Sequence, residues 1–123
     1  MKVLLNLSKV FLLAFAFMAI AQSASAAPRC ASWGCGEITK VYIDPYIGAP
    51  YKVKGWTDDV LTDGYCVYAH YRKSGQSWPG TRILSSKSCG PRVYFDYNTG
   101  STTPVSGVRL YRQNGNYLTL YGS

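Results

Sequence analysis

The chain has 123 residues with 13 basic and six acidic side chains, one histidine and four cysteines, for a formal charge of +7. One histidine and no Cys-x-x-Cys pair supply too few ligands for a zinc site, and no cofactor is expected. No H-E-x-x-H, G-x-S-x-G, P-loop or dinucleotide fingerprint occurs, which removes the enzyme classes those motifs carry.

The first 26 residues read as a secretory leader. Lys2 and Lys9 are the only charges before Arg29, the run Val10–Ala21 is apolar, and Ala24-Ser25-Ala26 is a small-x-small site. The run is shorter than the about 20 apolar residues a spanning helix needs, so no membrane span is expected. Cleavage after Ala26 leaves a single domain, residues 27–123, with 11 basic and six acidic side chains. Such a product is secreted: extracellular, or periplasmic where the producer has an outer membrane. All four cysteines lie in the domain, and an oxidising compartment makes two disulfides the expected state.

Within the domain no stretch keeps a helical period, while glycine and proline punctuate segments rich in Val, Ile, Thr and Tyr. This predicts an all-β fold, a small antiparallel sandwich or partly open barrel of about seven short strands. The strands fall near Ile38–Ile43, Tyr51–Trp56, Tyr65–Arg72, Thr81–Ser85, Val93–Tyr97, Gly107–Gln113 and Asn116–Tyr121. In the third, Cys66, Tyr68 and His70 share one face and Tyr65, Val67, Ala69 and Tyr71 the other, with the buried face left open. Asn114-Gly115 predicts a type I′ turn closing the last hairpin. That turn sets Tyr111 against Leu118 and Arg109 against Leu120. It puts Val108, Leu110, Tyr117 and Tyr121 on one face, and Tyr111, Leu118 and Leu120 on the other. Four cysteines allow three pairings; Cys30–Cys35 with Cys66–Cys89 is the expected one, the crossed pairings being the alternatives.

Thr62-Asp63-Gly64-Tyr65-Cys66-Val67, then Ser88-Cys89-Gly90, then Gly107-Val108-Arg109-Leu110-Tyr111-Arg112 resemble a loose group of small secreted bacterial proteins. These share a D-G-x-C strand, a later C-G and a closing V-x-L-Y-R strand. The resemblance spans roughly Trp56 to Tyr121. It implies a compact β-sandwich and supports the Cys66–Cys89 pairing. The group carries no settled activity, so it implies no functional residues, and Cys30 and Cys35 fall outside its pattern.

Three groups of residues are candidates for chemistry. A small secreted ribonuclease would need a base, an acid and a cation on the phosphate; Glu37, His70 and an arginine such as Arg72 or Arg92 could supply them. The plain reading is a surface glutamate and a hydrogen-bonded strand histidine. Asp58, Asp59 and Asp63 crowd one loop and could offer oxygens to Ca²⁺, but the EF-hand alternation and its closing Glu are missing. A polar turn with Asp capping backbone amides is the plainer account, and pairing with Lys or Arg within the fold is another.

The strongest signal is aromatic, since all 11 Tyr and all three Trp lie in the domain. Many of these tyrosines would simply fill a small core, but aromatic residues in loops are harder to bury. A binding site is therefore expected around Trp33, Tyr46 and Trp78 with Arg72 and Lys73. The expected function is non-enzymatic binding, possession of an inhibitor or toxin role included. The partner would be a glycan, an envelope component or a secreted or host protein, anionic in character. Nucleic acid is not expected, because the basic residues are dispersed along the chain.

Overall fold

Alternating β-favouring residues between glycine and proline turns form nine strands in the computed structural model, which describes residues 23–46 and 48–123. They are β1 (Ser23–Ala24), β2 (Arg29–Ala31), β3 (Gly34–Ile43), β4 (Tyr51–Asp59), β5 (Val67–Lys73), β6 (Thr81–Ser88), β7 (Val93–Asn98), β8 (Val105–Arg112) and β9 (Tyr117–Gly122). The first sheet runs β1-β3-β4-β7, with β2 also paired to β3; the second runs β6-β5-β8-β9. Every pairing is antiparallel. The protein is a small all-β domain of two sheets, held by disulfides Cys30–Cys35 and Cys66–Cys89. Two disulfides indicate an oxidising, extracellular type of environment. Among the described residues no helix is long and apolar enough to cross a membrane.

The core lies between the sheets. Ile38, Val41 and Val53 point in from the first sheet, and Val67, Ala69, Ile83, Val108, Leu110 and Leu120 from the second, all nearly or fully buried. Period-2 alternation then decides what faces outward: on β5, with Val67, Ala69 and Tyr71 inside, Tyr68, His70 and Arg72 must lie on the outer face. This settles the face that the sequence left open.

All seven expected strands are present. Most of the expected leader, residues 1–22, lies outside the described residues. Its last residues run along the edge of β3, where Ser23 pairs with Tyr42, Ala24 with Val41, and the Ala26 amide donates to the Ile38 carbonyl. The strand β2 and the start of β3 were not expected, because Cys30-Ala31-Ser32-Trp33-Gly34-Cys35-Gly36 is poor in β-branched residues. Here the pairing of β2 with β3 and of β3 with β4 overrides weak local propensity, and Cys30 stands directly opposite Cys35 in the ladder.

The closing hairpin differs from expectation by one residue. Gly115 donates its amide to the Arg112 carbonyl, and Arg112 donates to the Asn116 carbonyl. Gly115 has φ of 97°, whereas Asn114 is not among the residues with positive φ. The loop is therefore a three-residue turn closed by a left-handed glycine, not a two-residue type I′ turn, which needs positive φ at both central positions. Tyr111 opposes Tyr117, Leu110 opposes Leu118 and Arg109 opposes Thr119. One residue of slip moves side chains to opposite faces. Leu118 and Leu120 accordingly join Val108 and Leu110 at the core, and Tyr117 joins Tyr111 outside.

A second irregularity shapes β6. Val67 pairs with Ser88 but Ala69 pairs with Ile83, so residues 84–87 bulge opposite Tyr68. The Ser86 hydroxyl replaces the lost ladder partner, accepting the Ala69 amide at 2.8 Å. The bulge leaves Leu84 and Lys87 on the surface and keeps Ser86 and Ser88 fully buried.

Candidate functional site

Charge is divided unequally between the sheets. The strands β5, β6, β8 and β9 contain Arg72, Lys73, Arg82, Lys87, Arg109 and Arg112, and no Asp or Glu. Arg112 pairs with Asp63 from the loop before β5. The other ion pairs, Lys52–Asp96 at 3.6 Å and Arg92–Asp58 at 3.3 Å, join residues of β4 and β7 or next to them. Arg72, Arg82, Lys87 and Arg109 form no ion pair among the described residues.

These cations are set among aromatic rings on the outer face of the second sheet. One row across the strands reads Arg82, His70, Arg109 and Thr119; the next reads Tyr68, Tyr111 and Tyr117. The Arg109 guanidinium lies 4.2 Å from the centre of the Trp78 ring and 3.9 Å from that of Tyr117. Its Nη1 donates to the Tyr111 hydroxyl at 3.3 Å, and its Nε is buried with no partner. Trp78 can come down onto the sheet because Gly107 has no side chain. A Cβ there would stand 3.0 Å from the indole and 2.4 Å from the Ser123 carbonyl oxygen. At the other side Arg82 lies 4.4 Å from the centre of the Tyr68 ring and the Lys87 ammonium 5.8 Å from it. The bulge in β6 is what lets both cations reach one ring.

His70 sits between the two groups. Its ring centre is 4.4 Å from that of Tyr111, and its Nδ1 is 3.0 Å from the Pro79 carbonyl oxygen. A carbonyl only accepts, so Nδ1 carries the proton and Nε2 is the acceptor of the neutral ring. Burial holds the His70 pKa below its ordinary value, against the pull of the Pro79 carbonyl and with the Arg82 charge adding to the depression. The ring is a neutral spacer flanked by cations.

Of the residues expected to bind, Trp78 and Arg72 come together here, beside His70 of the ribonuclease reading. Arg72 is largely engaged within the fold: Nη2 and Nε donate to the Ser123 carbonyl oxygen at 2.9 and 3.3 Å, and Nη1 to that of Gln76 at 3.3 Å. It pins the Trp78 loop and the end of β9 rather than offering a free guanidinium. Lys73 follows a register shift at the end of β5, where its amide donates to Gln76 Oε1. Tyr46 is 86% exposed but belongs to the loop between β3 and β4. Trp33 corrects the expectation of a loop aromatic on the surface: it is 8% exposed and part of the core. The tight connection from β2 to β3 folds it inward, where its carbonyl accepts the Val60 amide. Tyr68, Arg82, Arg109, Tyr111 and Tyr117 were not expected at a site. The register error in the last hairpin hid the meeting of Tyr111 with Tyr117.

The ribonuclease set is not assembled. Glu37 pairs with Trp56 on the outer face of the first sheet, while His70 and Arg72 lie on the outer face of the second. Sheets stacked about 10 Å apart separate the two faces by the whole core. The three aspartates do not share one loop: Asp58 and Asp59 end β4 and only Asp63 lies in the loop that follows, and each is engaged separately. Asp58 pairs with Arg92, Asp59 Oδ1 accepts the Leu61 amide, and Asp63 accepts the Tyr65 amide and pairs with Arg112. These bonds hold the Asp63 carboxyl below its usual pKa, the Tyr65 amide contributing most. Among the described residues no group of three or more His, Cys, Asp or Glu stands close enough to hold a metal ion.

The first sheet has its own shallow hollow of about 570 Å³, lined by Thr39, Lys54, Gly55, Trp56, Tyr94, Phe95 and Asp96. Its charges are mixed, and Arg92 covers the Trp56 ring at 3.6 Å from its centre. No protein family, curated protein or solved structure matches the chain.

Proposed function

We propose that the protein is a secreted, non-enzymatic binding protein that recognises an anionic partner through the outer face of the β6-β5-β8-β9 sheet. The observation that carries this reading is the array of Arg82, Lys87 and Arg109 on aromatic rings, with no carboxylate anywhere on the four strands. A protein surface normally intersperses both signs; a face of one sign raises the local concentration of the opposite charge and speeds its capture. The leader at residues 1–26 would deliver the domain to a compartment rich in such partners.

Binding to immobilised cell-envelope fractions at increasing salt tests the reading. The wild type binds and is released as salt rises, because screening weakens contacts between exposed charges. The double variant Arg82→Gln/Arg109→Gln binds poorly, and Lys40→Gln/Lys54→Gln on the first sheet binds like wild type. Loss confined to the first-sheet variant would contradict the assignment of the face.

A further inference from the structure

We infer that this face seats a linear anionic polysaccharide, sulfated or uronate-bearing, which lies across the strands from β6 to β9; the inference rests on the anionic-partner reading above and narrows it. Two cationic nodes carry it. One is Arg109, with Trp78 and Tyr117 against it. The other is Arg82 with Lys87 over Tyr68. Arg82 and Arg109 both pair with His70, from either side, so their backbones stand two strand spacings apart, about 9.5 Å. A chain with anionic groups at intervals can contact both nodes and pass over His70 and Tyr111 between them.

The rings argue for charge recognition rather than base stacking. Proteins that bind single-stranded nucleic acid without sequence preference stack bases on free aromatic faces. Here Trp78, Tyr117 and Tyr68 each already carry a guanidinium. They act as rigid seats that orient the cations. A guanidinium held against rings keeps its N–H edge for partners, and that edge matches a carboxylate or sulfate oxygen pair. Arg109 makes one hydrogen bond, to Tyr111, and its Nε has none. That Nε is closed to solvent, whereas Nη2 has no partner among the described residues and is the donor left for an oxyanion. An acidic protein is less well matched. Protein interfaces are organised around a desolvated apolar centre, whereas the centre here is His70 and Tyr111 flanked by cations.

The test measures affinity for dextran sulfate, polygalacturonate, neutral dextran and an oligothymidylate. Wild type, Arg82→Gln, Arg109→Gln, Arg109→Lys and Lys54→Gln are compared, with a thermal melt of each. Wild type should bind at least one of the two anionic polysaccharides and not neutral dextran, with the oligothymidylate about tenfold weaker or worse. Arg82→Gln and Arg109→Gln should each weaken binding by about tenfold, the scale of a lost charge-assisted hydrogen bond. Arg109→Lys should weaken it comparably, because it keeps the charge but not the planar fork. Lys54→Gln should have no effect. Equal or tighter binding of the oligothymidylate, with the same dependence on the two arginines, overturns the polysaccharide and leaves the anionic-partner reading standing. Loss in only one arginine variant overturns the two-node seat. No binding to any polyanion, or equal loss in Lys54→Gln, overturns both. Arg82 is exposed, so Arg82→Gln keeps the test decisive should Arg109→Gln fail to fold.

Discussion

Tyr111 and Tyr117 stand directly opposite each other on β8 and β9, with ring centres 5.6 Å apart on the outer face of the second sheet. Their meeting depends on the three-residue loop that Gly115 closes at φ 97°. A β-branched residue is a strong outlier in that conformation. Gly115→Val should therefore cost about 1–3 kcal/mol of stability in urea unfolding. A residue such as Ser123 at the exposed end, changed to Ala, should cost nothing measurable. Unchanged stability in Gly115→Val would mean that the register does not depend on this turn.

The two faces of the same hairpin should separate stability from binding. Leu110 is fully buried between the sheets, and Leu110→Ala should lose about 2–5 kcal/mol. Tyr117 is 53% exposed. Tyr117→Phe removes only an outward hydroxyl and should leave both stability and binding nearly intact, since the ring is what seats Arg109. Tyr117→Ala should weaken binding with a small loss of stability. Paired unfolding and affinity measurements check this, and a large stability loss in Tyr117→Ala would place the ring in the core instead.

The disulfides should contribute unequally. Cys30 and Cys35 are five residues apart, Cys66 and Cys89 23 residues apart. On the loop-closure model the longer loop stabilises by about 3 kcal/mol and the shorter by about 2 kcal/mol. Replacing Cys66 and Cys89 together by Ser should lower the midpoint of unfolding more than replacing Cys30 and Cys35. The opposite order would show that the arm before β3 contributes more to stability than its short loop implies.

His70 gives a pH dependence of known sign. Its folded-state pKa lies below the unfolded value of about 6.5, so the unfolded chain takes up the proton first as pH falls. The contribution to stability is complete above that value and is lost as pH falls from it toward the folded pKa. The charged groups around the ring are Arg72 on its own strand, Arg82 on β6 and Arg109 on β8, with no carboxylate among them. A bound anion should raise the His70 pKa, so binding should tighten as pH falls toward the folded-state pKa, which lies below the ordinary value. Titration of the His70 ring by NMR, with and without dextran sulfate, checks both signs. A lower His70 pKa in the presence of the polymer would contradict the placement of the anion.

Much of the fold was legible because it rests on local signals. Alternation located β3 to β9, glycine and proline marked their ends, and the Cys66–Cys89 bridge follows the strands it flanks. The buried Trp33 was not legible, since nothing local distinguishes a tryptophan on a surface loop from one folded onto the core. The hairpin register failed for a narrower reason: Asn114-Gly115 suits both the two-residue turn and the three-residue one, and a single residue decides the face. The site was the least visible. Its cations come from three strands, β5, β6 and β8, and are widely spaced in the chain, so they read as dispersed charge. Only the order β6-β5-β8-β9, set by tertiary pairing, brings Arg82, His70 and Arg109 into one row.

One face, the outer side of the second sheet, should contact the anionic partner. Backbone amide shifts followed by NMR during titration with a sulfated oligosaccharide test it most directly. The perturbed amides should cluster on Tyr68, His70, Arg82, Arg109, Tyr111 and Tyr117, while Thr39, Lys54, Trp56 and Tyr94 stay unchanged. Perturbation centred on the Trp56 and Tyr94 hollow, with the Arg109 row unmoved, would contradict it.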